Sequence, residues 1–210
     1  MTRRGPGRGE RDAEYAPGMM AIGVLAAQGD FQAHVRVLRS LGAHPVEVRR
    51  PDQLADLDGL VIPGGESTTI SKAIERDGLD AAIREYATAG GPVLGTCAGM
   101  IMLDRDHLDL MDTRALRNAF GRQLHSFEAD LEIDGLGPDP VRAVFIRAPW
   151  IDDRGPDVEV LATYEGHPVV VRQGSLLAAA FHPELTDDSR LHALFMAMAT
   201  AARERTESVR

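Results

Sequence analysis

A single cysteine, Cys97, supplies all the thiol chemistry available to this chain, and it has no partner for an internal disulfide. That scarcity argues against a disulfide-stapled secreted scaffold and fits a reducing, cytoplasmic setting. Long apolar runs are missing as well. None approaches the roughly 20 residues needed to cross a bilayer, so no association with a membrane is expected. The first 18 residues, MTRRGPGRGERDAEYAPG, lack the apolar segment of a secretory signal. They are expected to be a disordered extension, with Met19 or Met20 as alternative initiators. Positive charge is in deficit: the formal net charge is -9. A nucleic-acid partner would need Lys and Arg clustered on one face, so none is expected. Histidines and carboxylates do not recur at ligand spacing, and no metal or cofactor is expected.

What is present is ordinary globular material, 44% hydrophobic and 26% charged over 210 residues, enough for one domain with a full core. That single domain is expected over residues 19–203, with 204–210 as a charged tail. The first half alternates between two periodicities. IGVLAA (22–27) reads as a strand; Phe31, Val35, Leu38 and Leu41 then recur at helical spacing until Gly42 closes the helix. PVEVR and GLVIP read as the second and third strands. Thr68 to Ala89 reads as helix broken near Asp77–Gly78, and PVLGT is a fourth strand running into Cys97. This rhythm implies a doubly wound α/β fold, a mostly parallel sheet flanked by helices. In the second half SFEADLEI, AVFIRAP, VEVLATY, PVVVRQG and LLAAAFHP follow with short connections, which suggests antiparallel strands added to one side or edge. A last helix from Ser189 to about Arg203 carries Leu191, Leu194, Phe195 and Met198 on one face.

The cysteine sits in GPVLGTCAGM, with Gly95 and Gly99 two residues to either side. A lone cysteine is most often a small buried hydrophobe. A strand-to-helix turn of the form Gly-x-Cys-x-Gly, however, has the shape of a nucleophile elbow, which pushes a side chain out at the carboxyl edge of a sheet. The glycines let neighbouring backbone pass close by. A thiol placed there lies over the start of the next helix, which favours the thiolate, and the Ala98 N–H is aimed where an oxyanion would form.

A nucleophilic thiol needs a base, and the base needs an orienting group. His34 and His44 lie in or beside the first helix, His107 in a charged loop, His125 and His167 at strand starts or turns, and His192 on the last helix. None of these six combines a carboxylate partner with the end of an apolar strand. His182 does, in LLAAAFHPELTDD, where Glu184 follows two residues later. Residues two apart on extended backbone share a face, and Pro183 would stiffen that register. The third element is PGGEST (63–68), a glycine loop after the third strand that ends at a helix start capped by Ser67 or Thr68. Its bare N–H groups suit either an anion or, from Gly65, a second oxyanion donor; without a lysine or a longer glycine frame the phosphate signal is weak.

PGGEST, GTCAGM and FHPELTDD, in that order, resemble the class I, triad-type glutamine amidotransferases. LAAQGDFQAH, RNAFGRQ, SFEADL, VFIRAP and VRQG narrow the resemblance to the glutaminase subunits of pyridoxal 5'-phosphate synthase, over Ile22 to about Met198. The resemblance implies Cys97 as nucleophile, His182 as general base and Glu184 as its orienter. It assigns the oxyanion hole to Gly65 and Ala98, and L-glutamine binding to Gly65, Glu66, Ser67, Arg117, Ile146 and Arg147. It implies a separate barrel-fold synthase subunit that takes up the ammonia, in a large hetero-oligomer with glutaminases docked on a synthase dodecamer. Weak activity without that partner is expected, since Gly64–Gly65 leaves the second oxyanion donor free to reorient. Three departures stand out: a short segment between the elbow helix and the RN-x-FGRQ strand, His125 where the family commonly has aspartate, and the unmatched N-terminal extension. The alternative is another amidotransferase or a DJ-1-like cysteine hydrolase on the same scaffold, but the latter take their histidine from just after the cysteine, where this chain has Ala98.

Overall fold

The computed structural model describes residues 18–27, 31–120 and 126–208. The expected extension up to Pro17, the Gln28–Asp30 stretch, and Gly121 to His125 lie outside the described residues.

Five strands build the parallel part of one seven-stranded sheet: β1 (Ala21–Leu25), β2 (His44–Val48), β3 (Gly59–Ile62), β4 (Val93–Thr96) and β11 (Leu176–Ala179). The chain places β2 on one side of β1 and β3 on the other, which makes a crevice at the carboxyl ends of the strands. Two antiparallel strands, β10 (His167–Gln173) and β9 (Glu159–Tyr164), complete the order β2-β1-β3-β4-β11-β10-β9. Helices α1 (Phe31–Ser40), α2 (Ser67–Arg76), α3 (Leu79–Thr88), α4 (Ala98–Leu103) and α5 (Arg190–Ser208) connect and cover these strands. The α2–α3 break falls at Asp77–Gly78, as expected, because Gly78 takes a left-handed conformation with φ of 69°.

The expectation for LLAAAFHP needs correction. β11 does form a hairpin with β10, but it pairs in parallel with β4 and stands inside the sheet, next to the strand that carries Cys97. Its composition explains the placement: all four residues, Leu-Leu-Ala-Ala, are buried, a run suited to a strand covered on both faces. Only β9 and β10 are added at the edge. β6 (Ser126–Leu131) and β7 (Val141–Ile146) form their own antiparallel pair, and so do β5 (Thr113–Leu116) and β8 (Trp150–Arg154). Residues 117–120 make a turn rather than the start of a strand. The closing helix continues to Ser208, past the expected end at Arg203.

The elbow depends on two glycines. A Cβ on Gly99 would overlap the backbone oxygen of Ile62, and one on Gly95 would crowd the Gly99 oxygen. Helix α4 can therefore press directly onto the carboxyl end of β3. Gly99→Ala would gain about 1 kcal/mol of helix propensity but must displace backbone that cannot swing away. The net expectation is a destabilisation of about 3 kcal/mol, read as a lower denaturant midpoint. A variant as stable as the parent would show that the close approach is not maintained in solution.

Candidate active site

Three adjacent strands end together here. β3 leads into Pro63–Gly65, β4 into Cys97, and β11 into His182, so the cysteine lies between the glycine loop and the histidine. Main-chain hydrogen bonds tie these ends to one another. The Cys97 N–H donates to the Ala179 carbonyl at 2.8 Å, and the His182 N–H donates to the Val144 carbonyl at 2.9 Å. β7 is thereby drawn over the site, and its last residue, Ile146, puts a carbonyl oxygen 3.8 Å from the Cys97 Sγ.

Cys97 has φ of 49° and ψ of -108°, a conformation that non-glycine residues rarely hold and that the elbow imposes. The backbone of Gly64 packs closely against both Cys97 and His182. A Cβ there would meet the imidazole Cε1 of His182 at 2.5 Å and the Cβ of Cys97 at 3.2 Å. On its other side His182 Nδ1 shares a hydrogen bond of 2.8 Å with Glu184 Oε1. Burial by itself would lower the imidazole pKa, but interactions with Cys97 and then Glu184 raise it to about 10. Burial likewise pushes the Glu184 carboxyl upward, yet the His182 hydrogen bond and neighbouring imidazole charge leave it below its ordinary value. His182 is thus shifted towards its protonated form, with a carboxylate hydrogen-bonded at one nitrogen.

The His182–Glu184 contact expected from extended geometry is present, but it arises differently. Pro183–Leu185 is a turn of 3-10 helix with Pro183 at its first position, and His182 stands just before it. The turn, rather than a strand register, brings the carboxylate back to the imidazole.

A pocket of about 190 Å³ opens over the sulfur, lined by Gly65, Glu66, Ser67, Cys97, Ala98, Arg117, Ile146, Arg147 and His182. Every residue expected at the site other than Glu184 is in that wall, and Glu184 lies behind His182. Ile101, Asn118 and Pro149 also line it; Asn118 lies in RNAFGRQ and Pro149 in VFIRAP, but neither they nor Ile101 are among the residues expected at the site. Asn118 and Arg147 share positive φ values of 47° and 46°, a backbone feature with no pattern in residue type to announce it. The cap of α2 differs from expectation too. Glu66, not Ser67 or Thr68, is the N-cap, and its carboxylate accepts from the Thr68 and Thr69 N–H groups at 3.1 and 2.8 Å. The Thr69 hydroxyl, those N–H groups and the α2 N-terminus hold the Glu66 pKa down to about 2. Arg117 donates to Glu66 Oε1 at 2.9 Å and to the Thr68 hydroxyl at 3.2 Å, so the pocket rim presents a cation and an anion side by side.

The SNO glutamine amidotransferase family matches residues 24–201. A pyridoxal 5'-phosphate synthase subunit PdxT from Frankia alni is 56% identical over 184 residues, covering 83% of this chain and 92% of that protein. One from Niallia circulans is 53% identical and covers 88% of this chain and 100% of its own length. A crystal structure titled glutamine amidotransferase superposes with a TM-score of 0.81 at 45% identity, over 85% of this chain and 98% of that one. The structure of PurLQS from Thermotoga maritima, 17% identical with a TM-score of 0.66 over 85% of this chain and 98% of that one, shares the fold. The match spans the strands that meet at the pocket as well as the helices around them, and the chain belongs to the SNO glutamine amidotransferase family.

Proposed function

We propose that Cys97, His182 and Glu184 hydrolyse the side-chain amide of L-glutamine, with the ammonia passed to a partner. The chain is a glutamine amidohydrolase, the glutaminase subunit of pyridoxal 5'-phosphate synthase. One observation supports the residue roles above all others: an elbow cysteine and a carboxylate-bound imidazole both pack against Gly64 and both line one pocket.

The chemistry closes on itself. The Cys97 sulfur attacks the amide carbon and a tetrahedral oxyanion forms, stabilised by the Ala98 N–H and a donor from Gly65. Collapse breaks the C–N bond as His182 gives its proton to the departing ammonia, which leaves a thioester. Water then attacks the thioester while His182 takes a proton from it. The C–S bond breaks, glutamate departs, and the thiolate and imidazolium are restored. Glu184 keeps the imidazole oriented throughout. The ammonia has its acceptor in the separate synthase subunit, and we propose docking on a synthase dodecamer.

Arg117 is proposed to hold the glutamine α-carboxylate, with Glu66 beside it to receive the α-amino group and Ser67, Ile146 and Arg147 completing the wall. Arg117→Ala should then lower kcat/KM by about 10- to 100-fold, mainly through KM, because a charge-assisted contact is lost in ground and transition state alike. An unchanged KM would remove Arg117 from this role. The function itself is tested with a glutamine-analogue alkylator and peptide mass spectrometry. The expected result is one adduct, on Cys97, suppressed by excess L-glutamine; no adduct, or one that glutamine does not suppress, would overturn the assignment.

A further inference from the structure

Below the pocket floor, Glu184 is not the end of the polar chain. Its side chain is 2% exposed, and while Oε1 faces His182, Oε2 lies 3.3 Å from the Nε2 of His34, whose side chain is 0% exposed. Oε2 has no well-aligned hydrogen-bond donor among the described residues, and this imidazole approaches it to within 3.3 Å. His34 comes from α1, which packs against the 3-10 turn that holds Glu184. Its Nε2 is also 3.2 Å from the hydroxyl of Thr96, the residue before Cys97. Its Nδ1 is 2.9 Å from Nε2 of His192, in the first turn of α5. Three other elements therefore converge on one imidazole of α1, directly behind the proposed triad.

Proton bookkeeping narrows what His34 can do. An ionised carboxylate only accepts, so if His34 Nε2 faces Oε2 favourably it must carry the N–H. A proton on His34 Nε2 leaves Nδ1 free to accept from His192 Nε2. His192 then keeps a bare Nδ1, which has no hydrogen-bond partner among the described residues. The reverse arrangement would aim a lone pair at the carboxylate and bury an unpartnered N–H on His192, two penalties together. Burial, and after it the neighbouring His34, push the His192 pKa down to about 3.

We propose that His34 is a positioning residue for glutamine hydrolysis: its Nε2–H, oriented by His192 behind it, faces the far oxygen of Glu184 so that the near oxygen stays on His182. The inference rests on the triad proposed above and adds a group that touches neither substrate nor sulfur. A pair of amide variants separates positioning from mere packing. Glutamine at 34 can put an N–H where the imidazole Nε2 was, whereas asparagine reaches only as far as Nδ1. In complex with the synthase, His34→Asn should lower kcat about 10- to 100-fold, the range typical of groups that orient a working ligand, with KM changed by no more than about twofold. His34→Gln should recover to within about threefold of the parent. Equal loss in both variants, loss in neither, or a change confined to KM would overturn the proposal.

A measurement on the unaltered chain stands whether or not the variants fold. In a 15N-histidine NMR spectrum His34 should be protonated at Nε2, and Glu184→Gln should move that signal; an unprotonated His34 Nε2 would overturn the inference. Cys97→Ala, assayed in parallel, keeps the two failures apart. Turnover persisting in Cys97→Ala defeats the triad itself, while an inactive Cys97→Ala beside a fully active His34→Asn defeats only the role of His34.

Discussion

Alanine at Cys97 should reduce glutamine hydrolysis by the synthase complex by about 10⁶-fold in kcat, the scale seen when a nucleophile is deleted from a triad. Among the described residues that line the pocket, Cys97 carries the only thiol, and the Ser67 hydroxyl stands at the start of α2 rather than at the elbow. Fold and substrate binding should survive. The side chain is small, the strained φ of 49° is held by the elbow, and Glu66, Ser67 and Arg117 are untouched. Pyridoxal 5'-phosphate formation by the complex should therefore fail with glutamine but proceed when free ammonium replaces it. Failure with both nitrogen sources would mean that the variant disrupts docking rather than chemistry. The same variant also tests the electrostatics. His182 is raised to about 10, against burial, by Cys97 and then Glu184. With the sulfur gone, one raising cause disappears, so the NMR titration midpoint of His182 should move down. If His182 donates the leaving-group proton as proposed, activity should hold at neutral pH and fall as pH climbs towards about 10. An unmoved midpoint in Cys97→Ala would show that the imidazole and the sulfur are not paired.

The site is more legible in the sequence than the sheet around it, for physical reasons. Gly95 and Gly99 announce the elbow because the backbone oxygens of Gly99 and Ile62 leave no room for a side chain there. The apolar run before His182 announces a buried strand end. Residue type alone marks such positions. Strand partners are set by tertiary competition instead, and that is why β11 reads as an added edge strand and proves to be the neighbour of β4. β5 and β8 escape notice because TRAL and WIDDR are short, charged and without alternation. His34 escapes for another reason. It has no carboxylate nearby in sequence, yet it lies on the face defined by Phe31, Val35 and Leu38, and it is fully buried. A histidine inside an apolar stripe must find a polar partner across the core, and that signal is available. Its partner, Glu184, is 150 residues away in the chain and cannot be named from spacing.

Glu184→Gln should lower kcat by about 10⁴-fold with little change in KM, as when the orienting carboxylate of a triad becomes an amide. The size of the effect follows from what stands on each side. In one orientation the glutamine NH₂ faces His182 Nδ1, which forces the imidazole proton onto Nε2 and removes the charged, doubly protonated form that the carboxylate supported. In the other, the amide oxygen accepts from His182 and the NH₂ turns to His34 Nε2, 3.3 Å from the present Oε2. That second orientation rescues the triad only if His34 offers a lone pair. If His34 Nε2 carries a proton, the second orientation sets two donors against each other, and only the first satisfies both imidazoles, at the cost of holding His182 in the wrong tautomer. The large loss and the protonation of His34 are therefore two readings of one proton arrangement. A Glu184→Gln enzyme within about tenfold of the parent would mean that the amide has found an acceptor in His34, and would place the proton of that imidazole on the nitrogen facing His192.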